Sequence, residues 1–334
     1  MKLYFKALAA CLALLLIFTG CAGNGPAPEE TTAPEETTAA PEETTAPETT
    51  LRDPDETPLI SPDADKRGDI KVLFVGNSYS VNVSHDLYDL LKEAGYDKVD
   101  VAVLYYSGCS LEMHCNFFRT DEPAYRLYYN GKGNWTITPD YTEPANYRMD
   151  QVLSMTKWDH IIFNTYLTVD PYLEILENHI RQYQPDAHFG WMGSWASQRD
   201  IETPREVLME TFQGDQMKMY EAIRDTARTL MVNHPEIEFL IPQMTVIQNM
   251  RTSRFGDDGA WIVRDGTHLS YHYGYYIGAL AVAKSIADID IEASTWIPEE
   301  YKDKFEDPEL VAGLKAAVQD AFNDPWNVTQ NPWQ

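Results

Sequence analysis

Basic residues are scarce in this 334-residue chain. Its 26 Lys and Arg are outnumbered by 52 Asp and Glu, so the formal net charge is −26 at pH 7. A chain this acidic is a poor ligand for nucleic acid and for anionic lipid surfaces, because both are themselves negatively charged. Part of the negative charge lies in an N-terminal repeat and therefore does not characterise an active site. We predict no nucleic-acid partner.

Cysteines are also few. Of the four, only Cys109 and Cys115 lie beyond the N-terminal region. Outside the cytoplasm these two could form a disulfide that closes a short loop, and two partly buried free thiols are the alternative. The sequence leaves both arrangements open.

The apolar run at the N-terminus, residues 7–18, is too short for a transmembrane helix, which needs roughly 20 residues. It follows Lys2 and Lys6 and has the length of a signal-peptide core. Thr19-Gly20-Cys21 comes next and resembles a bacterial lipobox, in which the cysteine is diacylated and becomes the mature N-terminus. Two acyl chains anchor a protein stably in a membrane. We predict a lipoprotein signal peptide at residues 1–20 and a surface-exposed protein outside the cytoplasm, anchored to the bacterial membrane through Cys21. An ordinary secretory signal cut nearby is the alternative.

The next segment has almost no apolar residues to bury. Residues 26–50 are nearly all Pro, Glu, Thr and Ala, with Pro-Glu-Glu-Thr-Thr-Ala repeated. Such a composition cannot offset the entropy cost of ordering the chain, and its prolines favour extended conformations. We predict a disordered linker over residues 21–67. Residues 68–334 then form one domain that includes a C-terminal cap.

Within that domain, short apolar runs alternate with segments of helical periodicity. This pattern is typical of a mainly parallel sheet covered by helices on both faces. Ser84 is predicted to cap the first helix. The strands are predicted at residues 70–75, 99–105, 158–163, 188–192 and 237–241.

Polar or small residues follow the first three predicted strands. Ser78, Gly108 and Asn164 each come just after a strand, and ligands of parallel sheets bind at the carboxyl ends of the strands. Ser78 lies in a Gly-Asn-Ser turn between a strand and a helix, where its hydroxyl can be exposed and its own N–H points to the same space. Taken alone, such a triplet is ordinary loop material.

A second motif, Asp265-Gly266-Thr267-His268, precedes the last long helix of the sheet domain. A nucleophilic serine needs a base of near-neutral pKa, and the base needs a carboxylate that fixes its tautomer. A bend at Gly266 would present Asp265 and His268 on one side. The alternatives are a surface Asp-Gly turn with an incidental histidine and a metal site formed by Asp265, His268 and His272.

Together, and in this order, these motifs resemble the SGNH/GDSL hydrolase superfamily. The first block of that superfamily is Gly-Asp/Asn-Ser after strand one, and its last block is Asp-x-x-His near the C-terminus. The resemblance implies that Ser78, Asp265 and His268 are catalytic. It also implies that the oxyanion is bound by the N–H groups of Ser78 and Gly108 and by the amide of Asn164. The third block departs from the family pattern, because Asn164 lacks the usual neighbouring glycine and aspartate.

The resemblance covers roughly residues 70–286, and the run at residues 107–114 also looks like SGNH-like bacterial lipoproteins of poorly defined function. It implies an α/β fold, a three-layer α/β/α flavodoxin-like sandwich, here with a mainly parallel five-stranded sheet. It further implies hydrolysis of esters, often of acetyl groups on glycans, with no metal and no organic cofactor.

We therefore predict a serine esterase that removes small acyl groups, with acetyl the first choice, from a carbohydrate at the cell surface. His114, Trp195 and Gln248 could border the substrate, with Trp195, which follows the fourth predicted strand, stacking on a sugar ring. An exposed or solvated loop would explain His114 and Gln248 equally well. The alternative function is a catalytically silent glycan-binding lipoprotein on the hydrolase fold.

Overall fold

The structure is a computed structural model. The predicted signal peptide, Cys21 and the linker up to residue 51 lie outside the residues it describes. Within the described ranges, no helix is both long and apolar enough to cross a membrane. The structure describes residues 52–129, 147–165, 167, 169–199, 205–256 and 261–333.

A six-stranded sheet lies at the centre of the described domain, in the order β3-β2-β1-β4-β5-β6. Five strands are parallel, and β3 runs antiparallel to β2 at one edge. The strands are β1 (Asp69–Gly76), β2 (Lys98–Tyr105), β3 (Arg126–Tyr129), β4 (His160–Phe163), β5 (His188–Met192) and β6 (Ile237–Ile241). The five predicted strands are all present. Strand β3 was not predicted, because a four-residue, mostly half-buried edge strand lacks the longer apolar run of a strand buried on both faces.

Helices cover both faces of this sheet, which confirms the three-layer α/β/α fold. One face carries α1, α2, α7, α8 and α9, and the other carries α3, α4, α5 and α6. The helices are α1 (Ser78–Ser84), α2 (Leu87–Glu93), α3 (Leu111–Arg119), α4 (Met149–Leu153), α5 (Tyr172–Arg181), α6 (Gln216–Asn233), α7 (Gln243–Met250), α8 (Tyr273–Ala287) and α9 (Pro308–Asn323).

The central strand β1 shows why the sheet is covered on both sides. Val72 and Phe74 contribute to the core under one helical layer, and Leu73 and Val75 contribute to the core under the other. All four side chains are buried. Full burial of such a side chain is worth roughly 1.5 to 3 kcal/mol, so an apolar run of this kind is stable only between two layers.

Ser84 does not cap a helix as predicted. It is the last residue of α1, and its hydroxyl donates a hydrogen bond to the carbonyl of Ser80 at 2.6 Å. The chain turns at His85 and Asp86 before α2 begins. The sequence analysis did not anticipate α1, because its seven residues are mostly small or polar.

Residues 52–67, here called the N-terminal segment, pack on the domain. The guanidinium of Arg52 donates to the carbonyl of Ile237 at 2.8 Å, and the carbonyl of Pro58 accepts from the N–H of Leu240 at 2.8 Å. The second bond satisfies a group on the outer edge of β6. These residues were assigned to the linker from their composition, and the structure shows that they bond to β6. The composition of this segment indicates polarity, but it does not reveal backbone hydrogen bonds to distant strands.

Deleting the N-terminal segment should destabilise the protein. A chain that starts at residue 68 loses the bonds made by Arg52 and Pro58 and the bond from the Ser61 N–H to the Ser285 carbonyl at 2.7 Å. We expect the free energy of unfolding to fall by at least about 2 kcal/mol. Urea denaturation measures this loss. A chain starting at residue 50 is the control, and equal stability of the two would contradict the packing.

The C-terminal residues pack on the helical layer of α7 and α8. Helix α9 begins at Pro308, and Asp307 caps it by accepting from the N–H of Glu309. After α9, the amide of Asn331 donates to the carbonyl of Gly313 at 2.8 Å, and the ring of Trp333 is buried against the same glycine. The cap lies on the helical layer and contributes none of the residues assigned to the site.

Candidate active site

Ser78 is the first residue of α1 and follows β1 after one intervening residue. That residue, Asn77, caps the helix: its side-chain oxygen accepts the N–H of Tyr79 at 3.0 Å. Ser78 is partly exposed, whereas every later residue of α1 is buried. The serine is therefore the residue of this helix that faces the surface at the carboxyl end of the sheet.

Asn77 also links the segments that follow β1, β2 and β4 through hydrogen bonds. Its amide nitrogen donates to the carbonyl of Cys109 in the loop after β2, at 3.0 Å. Its oxygen accepts from the amide of Asn164, just after β4, at 3.3 Å. A buried side chain that uses both ends in this way fixes the loops relative to one another. The sequence analysis assigned no role to Asn77, although the residue lies inside the Gly-Asn-Ser motif.

Asn164 lies directly beneath the serine turn. Its side-chain oxygen accepts from the Ser80 hydroxyl at 2.5 Å, and the residue is only 1 % exposed. A Cβ atom on Gly76 would lie 2.0 Å from that oxygen and 2.3 Å from the Ser80 hydroxyl oxygen. Glycine at position 76 is therefore required by the close approach of Asn164.

Gly108 lies in the exposed turn after β2. Its φ of +65° is in the left-handed region that favours glycine, and nothing lies within 4 Å of the position a Cβ would take. The next residue, Cys109, is buried, as is Cys115, and both are free thiols. Burial raises the pKa of the Cys115 thiol to about 11. The two thiols are thus neutral, and no disulfide joins them.

Asp265 and His268 form a hydrogen-bonded pair. The Nδ1 atom of His268 lies 2.8 Å from Oδ2 of Asp265, and Oδ1 of Asp265 accepts the backbone N–H of His268 at 2.8 Å. The bend between them uses Gly266 at a φ of +78°. Partial burial alone would raise the pKa of Asp265. The hydrogen bonds from His268 and the positive charges of His268 and Arg264 outweigh burial, so the pKa of Asp265 lies well below its usual range.

The loop that carries this pair, residues 263–269, is fastened to α1. The N–H of Leu269 donates to the side-chain oxygen of Asn82 at 2.7 Å. Asn82 is one helical turn after Ser78 and therefore lies on the same face of α1. A second link runs through Trp195, whose indole N–H donates to the Thr267 carbonyl at 2.7 Å and whose ring packs edge-on against Tyr79 at 4.3 Å. These contacts bring the Asp265–His268 loop alongside the helix face that starts at Ser78.

The three residues considered as substrate contacts all lie in the interior. His114 and Trp195 are fully buried, and Gln248 is 5 % exposed. Burial lowers the pKa of His114 to about 3, so its ring is neutral and shares a hydrogen bond with the Tyr125 hydroxyl at 2.8 Å. Gln248 belongs to α7, a helix that was not predicted and whose residues are all buried. Because they are buried, the three side chains cannot stack on a sugar.

His272, part of the alternative metal set, lies immediately before α8. It is the N-cap residue of that helix, and its ring packs against Tyr301 with centroids 4.6 Å apart. His268 lies in the bend upstream, so the two histidines are not successive turns of one helix. Among the residues that the structure describes, no group of three or more His, Cys, Asp or Glu side chains is placed to hold a metal ion.

Replacing Asp265 by Asn should lower the free energy of unfolding more at pH 7 than at pH 3. The folded-state pKa of Asp265 is lowered, so its stabilising contribution is present above the unfolded value of about 3.9 and is lost as the pH falls through the folded pKa. The side chain is 49 % exposed, which limits this contribution to about 1 kcal/mol or less. Urea denaturation of both proteins at both pH values is the measurement. A difference that stays constant with pH would contradict the pairing.

Fold and site together define a three-layer α/β protein with a serine and an Asp–His pair at the carboxyl edge of its sheet. The chain belongs to the DUF4886 family, described as a domain of unknown function, whose model matches residues 71–313. It is similar to the crystal structure of a DUF4886 family protein from Bacteroides uniformis, with 27% sequence identity and a TM-score of 0.67 over 78% of this chain and 98% of that one.

Two more distant structures also match. One is a putative GDSL-like lipase from Parabacteroides merdae, with 10% identity and a TM-score of 0.41 over 69% of this chain and 100% of that one. The other is the catalytic domain of peptidoglycan O-acetyltransferase A from Streptococcus pneumoniae, with 12% identity and a TM-score of 0.36 over 66% and 92% of the two chains. Both likenesses are too distant to bear on activity or substrate. No curated protein matches the chain.

Proposed function

We propose that the protein is a serine hydrolase that acts on ester bonds, with Ser78 as nucleophile, His268 as base and Asp265 as the carboxylate that orients it. The observation that carries this proposal is the 2.8 Å pair of Asp265 and His268, on a loop bonded to the α1 face that begins with Ser78. Nucleophilic acyl transfer requires a histidine, paired with a carboxylate, next to a serine. The bond to α1 holds the loop of His268 against the helix that begins with the partly exposed Ser78.

In the proposed reaction His268 removes the proton from the Ser78 hydroxyl, and the serine oxygen attacks the ester carbonyl carbon. The tetrahedral intermediate collapses with loss of the alcohol, which takes the proton from His268. Water, deprotonated by His268, then attacks the acyl carbon. The bond from that carbon to the serine oxygen breaks, the acid is released, and His268 returns the proton to Ser78. Because Nδ1 of His268 faces Asp265, its Nε2 is the nitrogen that exchanges the proton. This chemistry uses no metal and no organic cofactor.

The proposed oxyanion donors are the N–H groups of Ser78 and Gly108 and the amide of Asn164. Gly108 supports this role because its turn is exposed and its surroundings are open. Asn164 has two amide hydrogens, and its bond to Asn77 uses one of them. Each well-placed donor of this kind contributes about 3 to 4 kcal/mol to the stability of the transition state.

The proposed substrate is a carbohydrate that carries small acyl groups, acetyl first, outside the cytoplasm. The N-terminal signal and the Cys21 anchor predicted from the sequence support this location.

Comparing acyl groups tests the proposal. The chain from residue 22 onward is assayed with p-nitrophenyl acetate, with p-nitrophenyl palmitate and for acetate release from an acetylated oligosaccharide. Ser78→Ala serves as the blank, and Ser154→Ala, at an exposed serine after α4, serves as the matched control. Release of acetate that depends on Ser78 supports the proposal, whereas cleavage of palmitate alone overturns the substrate class. Glycan binding that is equal in wild type and Ser78→Ala, without turnover, would favour the silent binding protein.

A further inference from the structure

We propose that Arg264 is the positioning residue of this site: it fastens the bend that carries Asp265 and His268 and places a fixed positive charge beside the carboxylate. This inference rests on the proposed function, in which that pair is the catalytic base and its orienting group. Arg264 has no counterpart in the motifs recognised from the sequence, and it does not reach the reacting atoms itself.

Arg264 holds the bend through both its backbone and its side chain. Its backbone N–H donates to the carbonyl of His268 at 2.8 Å. One guanidinium nitrogen donates to the carbonyl of the next residue, Leu269. The bend is closed beyond these bonds by the antiparallel bridge between Val263 and Leu269. One residue thus bonds to two consecutive carbonyls across the turn, which restricts the backbone from which the His268 ring projects.

The charge of Arg264 faces Asp265. Its Nε atom lies 3.9 Å from Oδ2 of Asp265, the same oxygen that pairs with His268. The Arg264 side chain is 22 % exposed, so water screens this contact only in part. Oδ2 therefore lies between two cationic partners whenever His268 is protonated. This arrangement keeps Asp265 ionised.

The guanidinium is itself held in place by aromatic rings. It lies 4.2 Å from the ring centroid of Tyr271 and 5.8 Å from that of Tyr275. The buried Tyr275 ring lies 4.8 Å from His85, whose Nδ1 atom is 2.7 Å from Oδ1 of the buried Asp86. Arg264 is thus supported through α8 by a buried polar pair at the α1–α2 junction. A planar guanidinium can stack on a tyrosine ring and donate a hydrogen bond at the same time. A lysine at this position would supply only the positive charge.

The titratable and charged groups around the Asp265–His268 pair belong to three parts of the fold. Asp265 and His268 lie in the loop of Arg264, Tyr271 and Tyr275 come from the start of α8, and the His85–Asp86 pair comes from the junction of α1 and α2. Arg264 is the cation that the structure places against Asp265 besides His268. Removing it should favour protonated His268 and move the acid limb of the activity profile to higher pH.

The test compares Arg264→Gln and Arg264→Lys with Arg67→Gln. Arg67 is a matched control: it also lies over a tyrosine ring, Tyr96, at 5.3 Å and donates to backbone carbonyls, but it precedes β1 at the opposite end of the sheet. Urea denaturation first establishes that each variant is folded. The titration midpoint of the His268 imidazole is then measured by NMR, and kcat and KM for p-nitrophenyl acetate are measured against pH.

For Arg264→Gln we expect the His268 midpoint to rise by about half a pH unit. We expect kcat/KM at pH 7 to fall about 10- to 100-fold, mainly through kcat, because the residue orients the base and does not contact substrate. Arg264→Lys should keep the midpoint near that of wild type and recover part of kcat. Arg67→Gln should change neither. A midpoint and a kcat in Arg264→Gln equal to those of Arg67→Gln would overturn the proposal.

Failure of the proposed function gives a different result. If wild type and Ser78→Ala hydrolyse the ester equally, the esterase assignment fails, and the NMR titration alone decides the role of Arg264. A raised midpoint would still establish that Arg264 controls the Asp265–His268 pair. An unchanged His268 midpoint would show that Arg264 only holds the backbone of the bend and has no effect on the charge of the pair. That result would contradict the proposal.

Discussion

Replacing His268 by Gln should lower kcat for p-nitrophenyl acetate by about 10⁴-fold or more, and Asp265→Asn should lower it by about 10³- to 10⁴-fold. Glutamine cannot accept the serine proton. Asparagine would present an amide to Nδ1 of His268, where the carboxylate now accepts at 2.8 Å, and would favour the wrong tautomer. Steady-state kinetics near neutral pH measures both losses.

A second histidine–aspartate pair provides the control for these variants. His179 and Asp150 lie 2.6 Å apart, with His179 near the end of α5 and Asp150 in α4. His179→Gln removes the same chemical group from a comparable ion pair in the other helical layer, so its kcat should stay within twofold of wild type. A His268→Gln variant that keeps its rate within tenfold would exclude His268 as the base.

Gly76→Ala should cost both stability and activity. The added methyl group would lie 2.0 Å from the buried oxygen of Asn164 and 2.3 Å from the Ser80 hydroxyl, and neither atom belongs to a flexible chain end. The serine turn or Asn164 must therefore shift. We expect a loss of about 1 to 3 kcal/mol in the free energy of unfolding and a fall in kcat/KM of about 100-fold. Urea denaturation and ester hydrolysis are the measurements.

Gly95→Ala separates this steric effect from the general cost of replacing a glycine. Gly95 follows α2 at a φ of +91°, and nothing lies within 4 Å of the position that its Cβ would take. Its replacement should cost about 1 kcal/mol through backbone strain alone and leave kcat/KM unchanged. If Gly76→Ala were as active as Gly95→Ala, Asn164 would not be packed against the turn as the structure has it.

The sheet could be predicted from the sequence because its parallel strands are buried on both faces. Residues 188–192 and 237–241, for example, form strands over the predicted ranges. Such strands appear as short apolar runs that need no knowledge of their neighbours. Strand β3 lacks this signal, since it pairs on one side only and three of its four residues are half-buried. Strand β3 forms because it pairs with the edge of β2, and no local sequence pattern reveals that pairing.

The candidate site also has a part that the sequence predicts and a part that it does not. The Asp265–His268 pair could be predicted, because a three-residue spacing around a glycine brings two side chains together locally. The supporting contacts could not, because their partners are distant in the chain: Asn82 bonds to Leu269 from 187 residues away. Trp195 was placed at the rim because it follows a strand, yet its ring turns inward to the Thr267 carbonyl, 72 residues away. Whether an aromatic side chain points inward or to the surface depends on contacts with distant residues, and sequence spacing does not reveal these contacts.

Covalent trapping tests the central claim most directly. The chain is treated with a fluorophosphonate, which phosphonylates an activated serine with loss of fluoride, and the product is analysed by intact and peptide mass spectrometry. A single adduct on the peptide that contains Ser78, absent in Ser78→Ala and formed far more slowly in His268→Gln, is the predicted result. An adduct on another serine, or equal labelling of wild type and Ser78→Ala, would contradict the assignment of Ser78 as the nucleophile.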